Sequence, residues 1–538
     1  MRKESETVMV AERKGLLGDD ARLSWERFCG FLNLPLSEFM GIQEQLLLEE
    51  VRLVGDSFLG RELLGGRKPS SVDRFRQSVP LTTYEDYCPH LKEKREDVLS
   101  EKPYYWAYTS GRSGDAKWIP YTRRAVERLV DSVMAGFILS CTDRKGEVRL
   151  DKGYRILHNM PSRPYLSGHA VFSMAERFDL RSVIPLDAWE QMDFHEKISE
   201  GFNKALLGGV DIIVSMSSVM AKMGASFGHH SGGFGLSRHL QHPGALLRLA
   251  CGLLRARLAG RAMRPGDLWP VKAIVSWGMD SAIYRDKIKR YWGVTPYEFY
   301  ACTDAGVIAM QSWRKQGLIP VPYSAFLEFI PEEEWLRSRR DSGYEPHTVL
   351  LNQVEPGQLY ELVITTYHGM PLLRYRVGHL VRVVSLAEED SKIEIPSLSF
   401  EGRADDILDV GGFIRLGEKA ISHALDMTGV EYVDWTMCKE REDGKPILRF
   451  YVELRNGTDS DALSKALHKS LVSCDPCYRD LDRMLEMNPI RVATLAPGTF
   501  KRYAQDKQRN SLSIELLRPP RTNPPEGDIA NLLKFSHN

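Results

Sequence analysis

Short apolar runs and longer amphipathic stretches alternate between about residues 106 and 400 of this 538-residue chain. The runs are rich in β-branched and aromatic residues and have the length of single strands. The stretches between them place apolar residues at helical spacing. This alternation predicts an α/β fold, in which a sheet is covered by helices on both faces. The predicted strands are Tyr154–His158, Asp211–Ser215, Lys272–Ser276 and Tyr297–Ala301, and the predicted helices are Thr122–Leu139, Met192–Leu207 and Ser281–Trp292.

Other patterns flank this region. Residues 1–105 are predicted to be mostly helical, because apolar residues follow helical spacing in Leu46–Leu64. A denser β region after the α/β core predicts antiparallel strands at Ala325–Ile330, Leu359–Thr365 and Leu380–Val384. We therefore expect a large N-terminal domain, residues 1–402, that combines α/β layers with an antiparallel β region.

A small α+β domain, residues 403–538, is predicted at the C-terminus. Glu431–Met437 and Pro446–Glu453 predict a strand pair around the turn dipeptide Asp443-Gly444, and Ser460–Ser473 predicts a helix. The last segment, Arg518–Asn538, begins with prolines and is expected to be irregular.

Charge and composition exclude several classes of partner. The 72 basic and 72 acidic residues give a formal net charge of zero, which removes the usual electrostatic argument for a nucleic-acid or membrane partner. Uncharged apolar runs of about 18 residues are absent, so no membrane span is expected. The charged segment Met1–Gly15 is not a signal peptide. Only Cys474 and Cys477 form a Cys-x-x-Cys pair, and without a second pair we expect no zinc site and a reducing, cytoplasmic location.

The first chemical motif is Tyr108–Lys117, which follows an aromatic, strand-like run. Its glycines allow a tight turn and close backbone approach, its hydroxyls can donate to phosphate oxygens, and its basic residues add positive charge. A polar surface turn would show the same residues. The candidate phosphate-binding residues are Thr109, Ser110, Gly111, Arg112, Ser113, Gly114 and Lys117.

The second motif is Tyr300–Asp304, after the strand-like Tyr297–Phe299. A hydroxyl at Thr303 and a carboxylate at Asp304, placed at the C-terminal end of a strand, suit phosphate and Mg²⁺. The alternative is a polar cap on the next element.

Two further motifs lie downstream, at Tyr375–Leu380 and at Gly402–Ile407, the latter followed by Gly411-Gly412. Each alone is typical of a turn at a strand end. In order and spacing, the four motifs resemble those of the adenylate-forming superfamily: Thr-Ser-Gly-x-x-Gly-x-x-Lys, Tyr-Gly-x-Thr-Glu, Tyr-Arg-x-Gly-Asp and Gly-Arg-x-Asp-Asp.

A narrower resemblance covers about residues 30–525. The chain is similar there to the acyl-acid amido synthetases, the auxin-responsive promoter family of plants and its bacterial relatives. The segments that carry this similarity are Val79–Tyr87, Phe326–Pro331, Gly357–Tyr367, Pro497–Phe500 and Ser513–Arg521.

The resemblance implies a two-step ligase that uses ATP and Mg²⁺. A carboxylate attacks the α-phosphorus of ATP and gives an acyl-adenylate and pyrophosphate; an amine, usually an amino acid, then takes the acyl group and releases AMP. The expected partners are therefore a small carboxylic acid and an amine, and the chain is expected to be a monomer or a weak homodimer.

The resemblance also implies residue roles. The first motif would cradle phosphates, Tyr300 would lie near the adenine, Thr303 near the α-phosphate, and Asp304 would hold Mg²⁺. Further nucleotide contacts would come from Arg376 and His379 in the third motif and, at the ribose, from Arg403 in the fourth. Asp405 would be the hinge of a mobile C-terminal domain, and Arg518 would occupy the position of a catalytic lysine.

Four positions depart from the superfamily pattern: Arg112 replaces a threonine, Asp304 a glutamate, His379 an aspartate and Arg518 a lysine. A neutral histidine cannot give the two-pronged carboxylate grip on a ribose, and arginine is not equivalent to lysine. Two alternatives therefore stay open: transfer to coenzyme A or a carrier thiol, for which Gly411-Gly412 is the motive, and an adenylate-binding protein without catalysis.

The segment Gly228–Gly235 contains His229-His230 and invites a metal-site interpretation. Adjacent histidines point in different directions on a helix or a strand, and no acidic cluster accompanies them. A mobile loop that borders the acid pocket is the preferred interpretation.

Overall fold

The chain divides into two compact units in the computed structural model. The structure describes residues 21–537 except 111–115, 152, 179, 228–241, 278–280, 342, 405–407, 411–413, 443–444, 458, 476–477, 480–487 and 511–517. The first unit runs to Val377 and includes Val381–Phe400; the second comprises Gly378–Leu380 and Glu401–Asn538. The predicted boundary between residues 402 and 403 stays a prediction, because a single strand, Ser397–Arg403, continues through the division.

Helices dominate the described part of residues 21–104, as predicted. They are α1 (Ala21–Cys29), α2 (Leu36–Val54), α3 (Phe58–Leu64), α4 (Val72–Ser78) and α5 (Cys88–Leu91), with short 3₁₀ turns at Gly30–Asn33, Tyr84–Asp86 and Glu96–Val98. Later helices of the first unit are α6 (Arg123–Ser140), α7 (Leu166–Arg177), α8 (Leu186–Gln191), α9 (Phe194–Gly208), α10 (Ser217–Ser226), α11 (Pro243–Leu258), α12 (Pro265–Leu268), α13 (Ser281–Trp292) and α14 (Glu332–Arg340).

A hairpin and a seven-stranded sheet form the centre of the first unit. The hairpin strands β1 (Tyr105–Ser110) and β2 (Ala116–Tyr121) pair antiparallel. The sheet strands are β3 (Arg155–His158), β4 (Arg181–Ser182), β5 (Ile212–Met216), β6 (Ala273–Trp277), β7 (Tyr297–Cys302), β8 (Gly306–Met310) and β9 (Ile319–Pro320). In the order β4-β3-β5-β6-β7-β8-β9, the first five strands run parallel and the last two pair antiparallel.

Helices cover both faces of this sheet, so the α/β prediction is confirmed. Successive strand residues point to opposite faces. Val214 and Val275 therefore pack into the core that contains α6, whereas Ile213 and Ile274 pack into a second core with Trp269. Thr122, the first residue of the predicted helix Thr122–Leu139, caps α6 by accepting a hydrogen bond from the backbone N–H of Ala125 at 3.2 Å.

The predicted antiparallel region is a five-stranded sheet in the order β11-β10-β12-β13-β14. Its strands are β10 (Ala325–Pro331), β11 (Val349–Leu350), β12 (Leu359–Thr366), β13 (Tyr375–Ser385) and β14 (Ser397–Arg403), with a 3₁₀ turn at Leu351–Gln353. Strand β10, next to the edge strand β11, pairs antiparallel with both β11 and β12.

The second unit has an α+β core of its own, which also confirms the prediction. Its strands are β15 (Leu408–Val410), β16 (Ile414–Leu416), β17 (Tyr432–Glu442), β18 (Lys445–Leu454) and β19 (Ile490–Leu495), and its helices are α15 (Glu418–Met427), α16 (Ser460–Cys474), α17 (Thr499–Asn510) and α18 (Glu526–His537). The predicted pair β17–β18 is antiparallel, and β19 adds parallel to β18.

The expectation of an irregular C-terminal segment is wrong for its second half, which forms α18. Leu532 is fully buried in a cluster with Phe500 and Tyr503, and Ile529 and Leu533 pack against it. These apolar residues repeat at helical spacing, and the prolines before them drew attention away from that pattern.

No helix in the described ranges is long and apolar enough to cross a membrane. The cysteines with described positions, Cys474 among them, are free thiols, whereas Cys477 and the segment Gly228–Gly235 lie outside the described residues.

A buried carboxylate joins the helical region to the five-stranded sheet. Glu328 on β10 has no exposed surface and accepts from Arg374 Nε and Nη2 at 3.1 Å each. Arg76 Nε and Thr348 Oγ1 donate to the same carboxylate at 3.3 and 2.7 Å. Arg374 also donates to the backbone carbonyl of Val79 at 2.6 Å, so one ion cluster fixes the start of β13 against the end of α4.

We predict that Arg374→Met lowers the free energy of unfolding by about 3–5 kcal/mol, because it leaves a buried carboxylate without its main partner. Arg382→Met, at an exposed position of β13, is the matched control and should cost less than about 1 kcal/mol. Urea unfolding of both variants measures the difference, and equal stabilities would contradict the structural role of the cluster.

A second buried carboxylate predicts a pH dependence. Glu50 on α2 accepts from the backbone N–H of Gly369 at 2.9 and 3.0 Å, yet burial raises the pKa of its carboxyl from 4.5 to about 8. The folded pKa lies above the ordinary value, so the protonated Glu50 carboxyl stabilises the folded state. This contribution to the free energy of unfolding is complete below pH 4.5 and is lost as the pH rises to about 8. Glu50→Gln should flatten the fall in unfolding free energy over this range, and the exposed Glu49→Gln should not.

Candidate active site

The first motif lies on the β1–β2 hairpin. Thr109 pairs with Lys117 and Ser110 with Ala116 across the two strands. The candidate residues Gly111, Arg112, Ser113 and Gly114, and the side chain of Ser110, lie outside the described residues. Lys117 is described: its Nζ donates to the hydroxyl of Tyr375 at 3.4 Å and lies 5.1 Å from the ring centre of Tyr84.

The segment that follows β3 holds the other side of this hairpin. The backbone N–H of Tyr108 donates to the carbonyl of Pro164 at 2.9 Å, and the rings of Tyr108 and Tyr165 pack edge to face. Lys197, buried on α9, donates to the carbonyl of Met160 at 3.3 Å and to Ser162 Oγ at 2.5 Å. Burial lowers the pKa of Lys197 to about 8. The segment is therefore anchored at both ends and fixes β1 just before Thr109.

The second motif forms the tight connection between β7 and β8. Residues 303–305 form a turn, and Gly306, with φ +72°, starts the antiparallel return strand. The carbonyl of Thr303 accepts from the hydroxyl of Tyr121 on β2 at 2.9 Å. Because the next element is a strand, the alternative of a helix cap is wrong, and Asp304 lies at the C-terminal end of a strand in the parallel part of the sheet.

Asp304 is the point where the motifs of the first unit meet. The Tyr375 hydroxyl lies close enough to the Asp304 carboxylate for the Asp304 charge to affect its pKa. Burial first, and then the Asp304 charge, holds the pKa of both Tyr375 and Cys302 well above the ordinary values. Burial is also the main cause of the raised pKa of Tyr84 and Tyr121, and Asp304 adds to both. A carboxylate, a lysine and three tyrosine hydroxyls thus face one region.

The segment Val79–Tyr87, which carries part of the family resemblance, lies in the same region. The backbone of Thr82 forms two hydrogen bonds to the strand start, accepting from Arg376 N at 2.8 Å and donating to Arg374 O at 2.9 Å. The hydroxyl of Tyr84 accepts from the backbone N–H of Trp118 at 2.9 Å. This segment therefore connects the β1–β2 hairpin to β13.

The third motif separates its residues between two faces of β13. Tyr375 faces Lys117 and Asp304, whereas Arg376 must point to the opposite face because strand side chains alternate. There Arg376 binds Glu361 in a two-pronged ion pair, at 3.0 Å from Nε to Oε1 and 2.6 Å from Nη2 to Oε2. The predicted nucleotide contact of Arg376 stays a prediction, and so does that of the partly exposed His379.

Sequence reasoning missed Tyr375, although it named its neighbour. The signal was available, since alternation along β13 assigns Tyr375 and Arg376 to opposite faces. Tyr300, the predicted adenine neighbour, is buried and packs at 5.3 Å from the ring of Phe400.

A second feature missed by the sequence is a row of buried polar side chains at the C-terminal ends of β3, β5 and β6. Asn159, Ser215 and Ser276 have no exposed surface, and Ser215 and Ser276 are register partners. Asn159 Nδ2 donates to Ser215 Oγ at 3.5 Å. Asn159 Oδ1 and Ser276 Oγ have no hydrogen-bond partner in the part of the chain that the structure describes. Buried polar atoms without a partner are uncommon in folded proteins, and a bound ligand or water can satisfy them.

The fourth motif and the closing motif belong to the second unit. Gly402, with φ +148°, precedes Arg403 at the end of β14, and Arg403 Nε is buried without a hydrogen-bond partner among the described residues. Asp405, Gly411 and Gly412 lie outside the described residues. Arg518 is partly exposed, with Nη2 4.0 Å from Glu418 Oε1, the carboxylate that Arg521 binds at 2.9 Å.

The described residues contain no cluster of three or more His, Cys, Asp or Glu side chains that could hold a metal ion by themselves. A single carboxylate at Asp304 still suits Mg²⁺, because this ion usually binds one or two carboxylates together with substrate phosphates and water. The residues present therefore fit a metal that arrives with a nucleotide.

Comparison with solved structures shows the fold. The acyl acid amido synthetase AtGH3.15, in complex with 2,4-DB, aligns over 97% of both chains with a TM-score of 0.70 and 18% identity. A 2-hydroxyisobutyryl-CoA ligase in the postadenylation state aligns over 98% of this chain and 97% of its own, with a TM-score of 0.62 and 13% identity.

Several curated relatives are plant proteins. A probable indole-3-acetic acid-amido synthetase GH3.6 of Oryza sativa subsp. japonica is 29% identical over 38% of this chain and 43% of its own length. A jasmonoyl–L-amino acid synthetase GH3.5 of the same subspecies is 24% identical over 49% of this chain and 48% of its own. The chain thus spans about half the length of these relatives, whereas GH3.4 of the same subspecies matches over 92% of this chain and 87% of its own at 24% identity.

Three family models match separate segments of the chain, which together cover more than half of it. Residues 32–153 match the GH3 family N-terminal domain, residues 318–403 the GH3 family central domain, and residues 417–523 the GH3 family C-terminal domain. The resemblance seen in the sequence motifs is therefore confirmed: this chain belongs to the GH3 family.

Proposed function

We propose that this protein is an acyl-acid amido synthetase, which converts a carboxylic acid and ATP into an acyl-adenylate and then transfers the acyl group to the amine of an amino acid. The observation that carries the proposal is the convergence of Lys117, Tyr375 and the Thr303-Asp304 turn. The names of the curated relatives, which include indole-3-acetic acid-amido and jasmonoyl–amino acid synthetases, support the amide-forming reaction.

The charges of this site suit the first step. Acid and ATP are both anionic, so they must be held together against their repulsion, and charge develops on the α-phosphoryl group as the bond forms. Lys117 offers a positive charge beside the hairpin, and Asp304 is proposed to hold Mg²⁺ with the phosphates. The Tyr375 hydroxyl interacts with Asp304 and with Lys117, so it lies between the negative and the positive charge of the site.

The remaining roles are proposals that the family resemblance supports. The phosphates would rest on the loop from Thr109 to Gly114, with Tyr300 near the adenine and Thr303 near the α-phosphate. Arg403, which has a buried guanidinium atom without a partner among the described residues, would bind the ribose. Asp405 would act as the hinge. Arg518, in the second unit, would take the place of the catalytic lysine.

The acid is proposed to bind at the C-terminal edge of the parallel strands. Ligands of open α/β sheets bind there, and the buried row of Asn159, Ser215 and Ser276 ends at this edge. We further propose a cytoplasmic location, which the free thiols of the described cysteines support.

Acid-dependent exchange of pyrophosphate into ATP tests the first step. The assay should use aromatic, jasmonate-like, fatty and hydroxy acids, each with and without the twenty amino acids. We expect exchange with at least one acid and AMP release when an amine is added. ATP binding without exchange across the whole panel would favour an adenylate-binding protein instead.

We predict that Asp304→Asn lowers the exchange rate by about 10²–10³-fold, because it removes the carboxylate proposed for the metal. Asp151→Asn, in an exposed turn of the same unit, is the matched control and should leave the rate unchanged. If both variants keep wild-type exchange, the site is not at the β7–β8 turn.

Lys117 and Lys94 provide a second matched pair. Both ammonium groups lie against aromatic rings, but Lys94 packs at 3.3 Å on Trp118, whose side chain alternates with that of Lys117 along β2. Lys117→Met should raise KM for ATP about ten-fold through loss of a charge-assisted contact, whereas Lys94→Met should not. Equal changes of KM for ATP in the two variants would show that Lys117 has a structural role and does not contact the nucleotide.

Product analysis separates the amide from the thioester. Incubation of the activated acid with an amino acid, or with coenzyme A, should give an amide in the first case and no thioester in the second. Thioester as the sole product would replace the proposed acceptor with a thiol.

A further inference from the structure

Helix α11, Pro243–Leu258, exposes large apolar side chains on its outer side. Of the twelve exposed large hydrophobic residues in the described chain, five are leucines of this helix. They are Leu246, Leu247, Leu253, Leu254 and Leu258, which are 39, 66, 54, 59 and 79% exposed. At 100° per residue they occupy an arc of about 140°, with the exposed Ala250 between them. We call this surface the leucine face.

The inner side of α11 explains why the leucines point outward. Ala245, Gly252 and Ala256 are its buried residues, and small side chains let the helix lie close to its neighbours. Arg248, beside them, donates to the carbonyls of Leu206 and Leu207 at 2.9 and 2.7 Å and so fixes the helix on the end of α9. The leucine face is therefore held in a fixed orientation, and the core does not need its apolar surface.

Positive charge accompanies the leucine face. Residues 243–265 contain five arginines and no acidic residue, in a chain whose formal net charge is zero. Arg257 lies within the leucine face and is exposed. Arg255, exposed at the border, donates to the carbonyl of Asp267 at 2.8 Å, and Arg261 pairs with the Asp267 carboxylate. Leucines flanked by arginines are the composition of helices that lie in the interface of an anionic membrane.

We propose that the leucine face docks this protein on a lipid surface with anionic headgroups, with α11 lying in the plane of the interface. The leucines enter the acyl boundary, and Arg257, exposed among them, reaches the headgroup phosphates. A second copy of the chain fits this face less well. A two-fold interface would bring two arginine-rich helices together with no acidic partner on either one.

This proposal goes beyond the expectation from the sequence, which used the zero net charge and the absence of a spanning segment to set aside a membrane partner. Net charge averages over the whole surface, whereas docking depends on one face of one helix. The cytoplasmic leaflet, with its anionic lipids, offers such a surface in the compartment proposed above.

Vesicle flotation of the full-length chain tests the proposal. The vesicles are equimolar phosphatidylcholine and phosphatidylglycerol, with phosphatidylcholine alone as the uncharged comparison. We expect flotation with the anionic vesicles only, and less of it as salt is raised. The paired substitution Leu247→Gln with Leu254→Gln should lower the bound fraction at least about ten-fold, and Arg257→Gln should lower it about five-fold.

Leu23→Gln with Leu386→Gln is the control pair, since both leucines are exposed but lie outside α11. It should float like the wild type, and Tm should be the same for all variants because every substituted residue is exposed. Absent flotation, equal flotation on both vesicle types, or unchanged flotation of the Leu247/Leu254 pair would overturn the proposal. A dimer in sedimentation that this pair abolishes would also overturn it, in favour of a second copy.

Discussion

The buried carboxylate of Glu328 is the constraint on which the geometry of the first unit depends. It cannot remain charged without partners, and Arg374, Arg76 and Thr348 supply them from three separate parts of the chain. Arg374 is the residue before Tyr375, so the ion cluster fixes where β13 begins. The backbone of Thr82 then pairs on either side of Tyr375, through Arg374 and Arg376. The cluster therefore controls the position of a site residue without touching the site itself.

From that fixed strand, the candidate site is assembled by hydroxyl groups that reach across elements. Tyr375 joins Lys117 on β2 to Asp304 in the β7–β8 turn, and Tyr121 joins β2 to the carbonyl of Thr303. Both buried tyrosine hydroxyls have raised pKa values and stay protonated at neutral pH, and that of Tyr121 donates to the Thr303 carbonyl. A charged pair linked by neutral hydroxyls keeps both charges in place before any ligand binds.

Periodicity predicted the elements well, because it reports burial. The strands at Tyr154–His158 and Asp211–Ser215 and the helix at Ser281–Trp292 appear within a few residues of their expected limits. The final helix α18 was missed because composition outweighed spacing around the prolines. The motif order predicted the family, and the structure placed Thr303 and Asp304 at a strand end as expected.

Long-range partners were beyond the reach of the sequence. No local pattern predicts the ion pair between Glu361 and Arg376 or the hydrogen bond between Lys117 and Tyr375. The same holds for the hydrogen bond from Lys197 to Ser162. Each of these contacts joins residues that are distant in sequence or lie on different elements. The orientation of the leucine face was hidden for the same reason, since an apolar arc on a helix predicts burial and only the packed structure shows which side faces outward.

The most direct test of the central claim follows one oxygen atom. A substrate acid labelled with ¹⁸O in its carboxylate should transfer one labelled oxygen to the phosphate of AMP, because the carboxylate oxygen attacks the α-phosphorus and stays with it when the amine displaces AMP. Mass spectrometry of the released nucleotide measures the transfer. One ¹⁸O in AMP is the predicted result. Label in inorganic phosphate, or unlabelled AMP with amide formation, would contradict activation through an acyl-adenylate.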